Sequence, residues 1–179
     1  MDKTGNPWSV PVAVDEIPDT GLHMEIEAPP EVRAEIARFA DVPDVGALAA
    51  AFDLARQGAG VHVTGRVQGR VGQTCVVTLE PVENEVGEAI DVRFIPGADT
   101  DGAADHNVHA LGEDEEPPEP LVGGTVDLGQ IATEFFILGI DPYPRKPGAA
   151  FTPPAVEDAG ERPFAALEAL KKRLGGGSE

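Results

Sequence analysis

A two-residue alternation of apolar side chains in the middle of the chain constrains the fold more than any other feature. It begins at Val61 on odd-numbered positions, and after Pro81 it moves to even-numbered positions that end at Phe94. The apolar positions are Val61, Val63, Val67, Val71, Cys75, Val77 and Leu79, then Val86, Ile90, Val92 and Phe94. A period of two is typical of strands that bury one face, and the change of phase requires a turn. The sequence therefore predicts two or three antiparallel strands with one face exposed to water.

Glycines interrupt the first of these strands at Gly65, Gly69 and Gly72. Glycine inside a strand often marks a bulge or a close bend, because it packs no side chain. The spacing therefore predicts bulges or a tight bend within this strand.

The remaining elements follow from shorter patterns. Alternating apolar residues predict strands at 8–14 and 22–26, and a spacing of three and four predicts helices near 30–40, 127–139 and 163–174. The second of these helices has Leu128, Ile131, Phe135 and Leu138 on one stripe, and Asp127 is its predicted N-cap. Residues 44–57 fit two structures, a short helix capped by Asp44 or a strand. The predicted fold is α+β, a single domain over residues 1–179 with a mainly antiparallel sheet and two to four flanking helices.

Charge is distributed unevenly. The chain has 32 acidic and 13 basic residues and a net charge of −19. Residues 97–124 lack periodicity and contain Glu113, Asp114, Glu115 and Glu116, so a flexible acidic insertion is predicted there, with a disordered tail at 175–179. A surface of this sign repels phosphates and argues against binding DNA, whereas it attracts a basic protein. The run from Glu113 to Glu116 is the candidate contact for such a partner.

One basic strip stands apart from this charge. Arg66 and Arg70 share a strand face with His62 and Gln68, and residues 60–72 contain no acid. They are the candidate contact for RNA or another phosphate group. Solvated charges that discourage edge pairing are the alternative interpretation.

Residue types that carry catalysis or bind cofactors are sparse. The chain has one cysteine, Cys75, and its histidines are His23, His62, His106 and His109, with no second cysteine to complete a zinc site. No glycine segment has the pattern of a phosphate-binding loop. We therefore predict no enzyme, no catalytic, cofactor-binding or metal-binding residues and no cofactor. Cys75 is expected to pack on the buried strand face.

No segment approaches the roughly 20 apolar residues of a membrane span, and the first residues do not resemble a secretory signal. The expected location is cytoplasmic, without a membrane partner.

Two segments together resemble the YceD family of large ribosomal RNA subunit accumulation proteins. They are QTCVVTLEPVENEVGEAIDVRFIPG and, after the acidic gap, VDLGQIATEFFILGIDPYPRKPG. The matching residues are Cys75, Leu79 and Pro81 in the first block and Asp127, Leu128, Pro142 and Pro144 in the second. The resemblance implies a role in large-subunit ribosome biogenesis. The acidic charge makes a ribosomal protein or the pre-ribosomal large subunit the expected partner, and direct RNA contact through the strip of Arg66 and Arg70 is the less natural mode.

This sequence departs from the family pattern at its cysteines. The family's second cysteine would fall at Thr78, and no cysteine follows Pro147. A metal-binding role for those cysteines therefore does not carry over, and Cys75 is expected to be structural. Two other functions stay open, an acidic adaptor or chaperone for a basic protein with no ribosomal role, and an enzyme using Cys75. The enzyme would require an exposed Cys75 with a lowered pKa.

Overall fold

A five-stranded sheet forms the centre of the fold. The computed structural model describes residues 6–97, 117–151 and Leu167. The strands are β1 Pro11–Ala13, β2 Leu22–Glu27, β3 Asp44–Gln57, β4 Gly60–Thr74, β5 Pro81–Ile95, β6 Glu119–Pro120 and β7 Thr125–Asp127, and the helices are α1 Pro30–Phe39 and α2 Leu128–Leu138. The large sheet has the order β2-β3-β4-β5-β6, and β1 pairs with β7 separately. All pairs are antiparallel except β5 with β6, so the predicted α+β class with a mainly antiparallel sheet is confirmed.

By its contacts the chain divides into two units, Met1–Pro147 and Gly148–Glu179. All the strands and both helices above belong to the first unit. In the second unit the structure describes residues 148–151 and Leu167, which is helical. The predicted helix at 163–174 otherwise lies outside the described residues, as do residues 98–116 of the predicted insertion and the tail at 175–179. The single domain and the count of two to four helices stay predictions.

The two long central strands follow the predicted alternation. The apolar side chains at odd positions of β4 are buried, among them Val63 and Val67, and even positions of β5 such as Ile90 face the same side. The predicted change of phase is the hairpin between them, which Thr74 and Pro81 close. Most of the apolar side chains therefore lie on one face of the sheet, which we call the inner face, and the core lies against it.

The alternation stops earlier than predicted. Cys75–Leu79 form a turn instead of the end of the strand, and the amide of Leu79 donates to the carbonyl of Cys75 at 2.9 Å. Leu79 has a φ of 60°, and its side chain is 77% exposed. The prediction of a strand through Leu79 was wrong because a hairpin needs residues to reverse its direction, whatever their hydropathy.

Residues 44–57, which fitted a helix or a strand, form β3. This strand pairs with β4 along its length and with β2 from Ala49 to Leu54, and these pairs supply the hydrogen bonds of its backbone there. Phe52 and Leu54 are buried on its inner side. Asp44 is therefore the first residue of a strand and not a helix cap.

The glycines of β4 do not produce bulges. β4 pairs with β5 in unbroken register from Val61 to Thr74, and the irregularity lies in β3, between Val45 and Ala47. A Cβ atom at Gly69 would lie 2.6 Å from the ring of Phe136 in α2. The predicted bulges were wrong, because at this position glycine lets a helix approach the sheet closely.

Both predicted helices of the first unit are present and cover the inner face. Pro30 is the first residue of α1, where a helix needs no N–H group from it. Asp127 caps α2, because its side chain accepts a hydrogen bond from the amide of Gln130 at 3.1 Å. The buried Ile36 of α1 and Phe136 of α2 belong to one core cluster. The opposite face of the sheet has no helix on it among the described residues.

The predicted stripe of α2 is only partly buried. Leu128 and Ile131 lie in the core, but Phe135 is half-buried and Leu138 is 80% exposed. The helix turns Phe136 inward instead. The last turn of α2 therefore leaves apolar surface exposed.

The strand predicted at 8–14 is shorter than expected. Trp8, Val12 and Val14 are buried as the alternation requires, but the strand covers only Pro11–Ala13, and a 3-10 turn begins at Val14. The strand predicted at 22–26 is confirmed as β2.

Candidate functional site

The two sequence blocks that carry the family resemblance meet in the structure. The turn after β4 lies against the proline-rich segment after α2, where the amide of Val76 donates to the carbonyl of Pro144 at 2.9 Å. The Lys146 ammonium lies 2.9 Å from the carboxylate of Glu80. Residues about 70 apart in sequence thus form one small cluster, which we call the motif cluster, Cys75–Glu80 with Asp141–Lys146.

Gln73 fastens this cluster to the sheet. Its amide nitrogen donates to the carbonyl of Asp141 at 2.7 Å, and its amide oxygen accepts from Asn84 at 2.8 Å. Gln73 is 8% exposed, so these bonds satisfy a polar group that is almost buried. Sequence reasoning missed this residue, although a glutamine at a buried position of the β4 alternation is a recognisable signal.

Cys75 is enclosed by the motif cluster. Its Sγ accepts from the backbone amide of Lys146 at 3.3 Å and from that of Thr78 at 3.4 Å, and the residue is fully buried. These bonds, the Lys146 amide first and then those from Thr78, lower the pKa of the Cys75 thiol to about 6. The sulfur is thus buried as predicted, although in a turn and not on a strand. In the described residues, no group of three or more His, Cys, Asp or Glu side chains could hold a metal ion.

The start of the second block anchors the N-terminal segment. Asp127 accepts from the amide of Val10 at 2.8 Å and from the hydroxyl of Ser9 at 2.6 Å, in addition to capping α2. The next residue, Leu128, is fully buried. These two family residues therefore hold the beginning of α2 against β1.

The two arginines of the predicted strip lie on the open face of the sheet, which we call the outer face. Arg66 and Arg70 are both exposed side chains of β4, with Gln68 between them. Arg70 lies 3.7 Å from Glu83, whereas Arg66 makes no hydrogen bond or ion pair with any described residue. The structure brings the strip together as the alternation predicts.

Small residues flank the strip on both neighbouring strands. Arg66 pairs in register with Ala51 of β3 and Ala89 of β5, and Gln68 with Ala49 and Gly87. A shallow groove of about 490 Å³ runs over this part of the outer face. In the described part of the chain, both arginine side chains are exposed beside this groove.

Acidic residues border the outer face. Two of them bind histidines, with Asp53 2.8 Å from the exposed His23 and Asp91 2.7 Å from the half-buried His62. The hydrogen bond and charge of Asp53 raise the pKa of His23 above its ordinary value. The face thus has a basic centre with an acidic margin.

The candidate contacts from Glu113 to Glu116 lie outside the described residues, as do His106 and His109. No α-helix in the described part of the chain has the length and apolar character needed to cross a membrane.

Residues 63–171 match the model of the family described as large ribosomal RNA subunit accumulation protein YceD. The match covers more than half of the chain and includes both blocks of the motif cluster. The chain belongs to the YceD family. A search of the curated proteins found no match, and a search of the solved structures found none. The family name implies involvement in the accumulation of large-subunit ribosomal RNA.

Proposed function

We propose that this chain supports accumulation of large-subunit ribosomal RNA without catalysing a reaction, and that it does so by binding a basic ribosomal protein of the large subunit. The family match over residues 63–171 carries the ribosomal part of the proposal. The partner follows from charge, since a net charge of −19 favours and accelerates encounter with a basic protein.

The chemistry of Cys75 supports a role without catalysis. A nucleophilic cysteine needs both a lowered pKa and access for the substrate. Cys75 has the first, with a pKa of about 6, but its side chain has no exposed surface. The bonds to its sulfur hold the motif cluster closed, which is a structural task.

Direct contact with RNA is a second candidate function, and Arg66 is the observation that favours it. This guanidinium has no partner within the described residues and lies among alanine and glycine neighbours that leave it open. Phosphate contacts of this kind position RNA without reading its sequence.

The ribosomal role is tested by deleting the gene in its native host and measuring subunit profiles and large-subunit ribosomal RNA. We expect the free large subunit and its RNA to fall, and re-expression of the wild-type chain to restore both. Unchanged profiles in the deletion strain would leave the alternative of an acidic adaptor with no ribosomal role.

The basic-partner part is tested by neutralising the acidic run with Glu113→Gln, Asp114→Asn, Glu115→Gln and Glu116→Gln. We expect weaker, less salt-dependent binding to the basic proteins of the large subunit, because screening acts on exposed charges. The matched control is Glu16→Gln, Asp19→Asn, Glu31→Gln and Glu35→Gln, which removes the same charge from exposed positions elsewhere. Equal effects of the two sets would show that net charge, and not the run, attracts the partner.

Thiol chemistry is tested with Cys75→Ser in the same complementation assay. We expect ribosomal RNA levels to recover to the extent that the variant folds, as judged by its melting temperature. A stable, folded variant that fails completely would contradict a role without catalysis.

A further inference from the structure

Among the residues that the structure describes, the edge of the large sheet beside α2 is open along most of β5. β5 pairs with β4 from Pro81 to Phe94, but on its other side the described residues supply only β6, which pairs with Phe94 and Ile95. Residues 81–93 of β5 therefore present a strand edge with no partner strand in the described part of the chain. Such an edge carries a row of backbone N–H and C=O groups that another strand can bind.

A groove of about 910 Å³ with both apolar and acidic residues in its walls adjoins this edge. Its walls include Phe94 of β5, Phe135 and Leu138 of α2, and Val122 in the segment that follows β6. Val122 is 77% exposed and Leu138 is 80% exposed, which is unusual for apolar side chains that line the same groove. An added strand would place alternate side chains against these residues, because successive side chains of a strand point to opposite faces.

The groove is acidic. Four carboxylates line it, those of Asp91, Glu119, Asp127 and Glu134, against the single guanidinium of Arg93. The free edge adds Glu83, Glu85 and Glu88. A second copy of this chain would set these carboxylates against one another, because like charges directly opposite destabilise a strand pair. A basic segment would instead meet the carboxylates of Glu83, Glu85, Glu88 and Asp91 along this strand.

We propose that residues 83–93 of β5 and the adjoining groove bind an extended basic segment of a partner protein as an added strand. This inference rests on the proposed function in that the partner is a basic protein, and it specifies where and in what conformation that protein binds. β6 is the precedent for the geometry, because Glu119 and Pro120 already extend the sheet at the end of the same edge.

The first experiment measures binding of a synthetic peptide of about ten residues in which valine alternates with lysine, long enough for one strand. The comparison peptides have the same composition in scrambled order, glutamate in place of lysine, or N-methyl groups on alternate backbone amides. We expect the alternating basic peptide to bind, and the N-methylated peptide to bind at least about tenfold more weakly because it cannot donate to the edge. Equal binding of the N-methylated or the acidic peptide would overturn the proposal.

The second experiment locates the peptide on the full chain. Leu138→Gln and Val122→Gln should each weaken binding about threefold to tenfold, because each removes apolar contact area without altering charge. The matched control is Phe39→Gln, which alters an apolar residue that is 57% exposed at the end of α1, away from the groove residues. Loss of binding in the control, or none in the two groove variants, would count against this site.

Amide hydrogen exchange provides the readout that distinguishes an added strand from a docked helix. We expect the peptide to slow exchange at alternate residues of 83–93, the amides that point away from β4. Protection of these amides in the free protein would show that the chain itself or a second copy fills the edge, and would overturn the proposal. If the peptide does not bind at this edge, the effect of gene deletion on ribosomal RNA is still expected. If gene deletion has no effect, the peptide is still expected to bind, so the two failures are distinguishable.

Discussion

The inner and outer faces of the large sheet are built from the same strands, yet they differ in almost every physical respect. The inner face contributes most of the core, and Phe52, Val63, Val67 and Val71 are fully buried there. The outer face combines small side chains with a row of polar ones, namely Ala49, Ala51, Gly87 and Ala89 around Arg66, Gln68 and Arg70. One face therefore stabilises the fold, while the other contributes little to it and has no helix on it among the described residues.

The difference in stabilisation follows from area. Each fully buried Val or Phe side chain on the inner face contributes on the order of 1.5–3 kcal/mol relative to exposure. An exposed alanine or arginine contributes little, and the ion pair of Arg70 with Glu83 is solvated on both sides. Substitutions on the inner face should therefore change stability most. Substitutions on the outer face should change binding most.

The largest effect is expected for Phe52→Ala on the inner face. Removing this fully buried ring should lower the free energy of unfolding by about 3–5 kcal/mol, because it leaves a cavity as well as losing burial. Urea denaturation measures the loss. The control is Ala49→Ser on the outer face of the same strand, which we expect to alter stability by less than about 0.5 kcal/mol. Similar losses for the two variants would refute the division between the faces.

The same substitution, glycine to alanine, on each of the two faces gives a second test of their difference. Gly69→Ala should cost about 1–3 kcal/mol, because its new Cβ would overlap the ring of Phe136 and the carbonyl of Ala47, both at 2.6 Å. Gly87→Ala on the outer face would meet only the Arg66 guanidinium, at 3.7 Å, and should be neutral or slightly stabilising. Thermal melting of both variants measures the contrast. A stable Gly69→Ala protein would mean that α2 is not held closely against β4.

The outer face is tested through binding. Arg66→Glu with Arg70→Glu should weaken any binding of large-subunit RNA and reduce the slope of log K against log salt by about 1.4, since each phosphate contact on a single strand contributes about 0.7. Stability should alter by less than about 0.5 kcal/mol. Arg38→Glu with Arg56→Glu, exposed arginines outside the strip, is the matched control. RNA binding that survives in the strip variant removes the strip as an RNA site.

The smallest effect is expected at the acidic margin of the outer face. Asp53→Asn should lower the pKa of His23, because the hydrogen bond and charge of Asp53 are the main causes of its raised value. A raised histidine pKa stabilises the fold fully below the ordinary value of 6.5, and this contribution disappears as pH rises through the raised pKa. An NMR titration of the imidazole measures the pKa directly. The same pKa in the variant would show that the pair does not form in solution.

Much of the fold was predictable because its strongest signals are local. The alternation in β4 and β5 predicted both strands and the faces of Val67 and Ile90, and Asp127 predicted the start of α2. Arg66 and Arg70 were predictable as neighbours on one face for the same reason, since a period of two aligns them. Residues 44–57 were ambiguous, because short apolar spacings fit helices and strands equally until neighbouring strands supply their hydrogen bonds.

Other features depended on contacts between distant segments. The enclosure of Cys75 by Lys146, the role of Gln73 and the space left for Phe136 at Gly69 all arise from residues far apart in sequence. The exposure of Leu138 is likewise set by where α2 ends relative to the sheet. Local spacing carries no information about any of these.

The sequence by itself determined the α+β class, the two faces of the sheet, the acidic charge and the membership of the YceD family. These properties depend on residue order and composition, which periodicity and family patterns read directly. Only the tertiary structure decided that the two family blocks meet around Cys75, and that in the described part of the chain most of the β5 edge has no partner strand beside its groove. The physical reason is that close packing and strand pairing are set by the three-dimensional arrangement of segments, which many different local sequences satisfy.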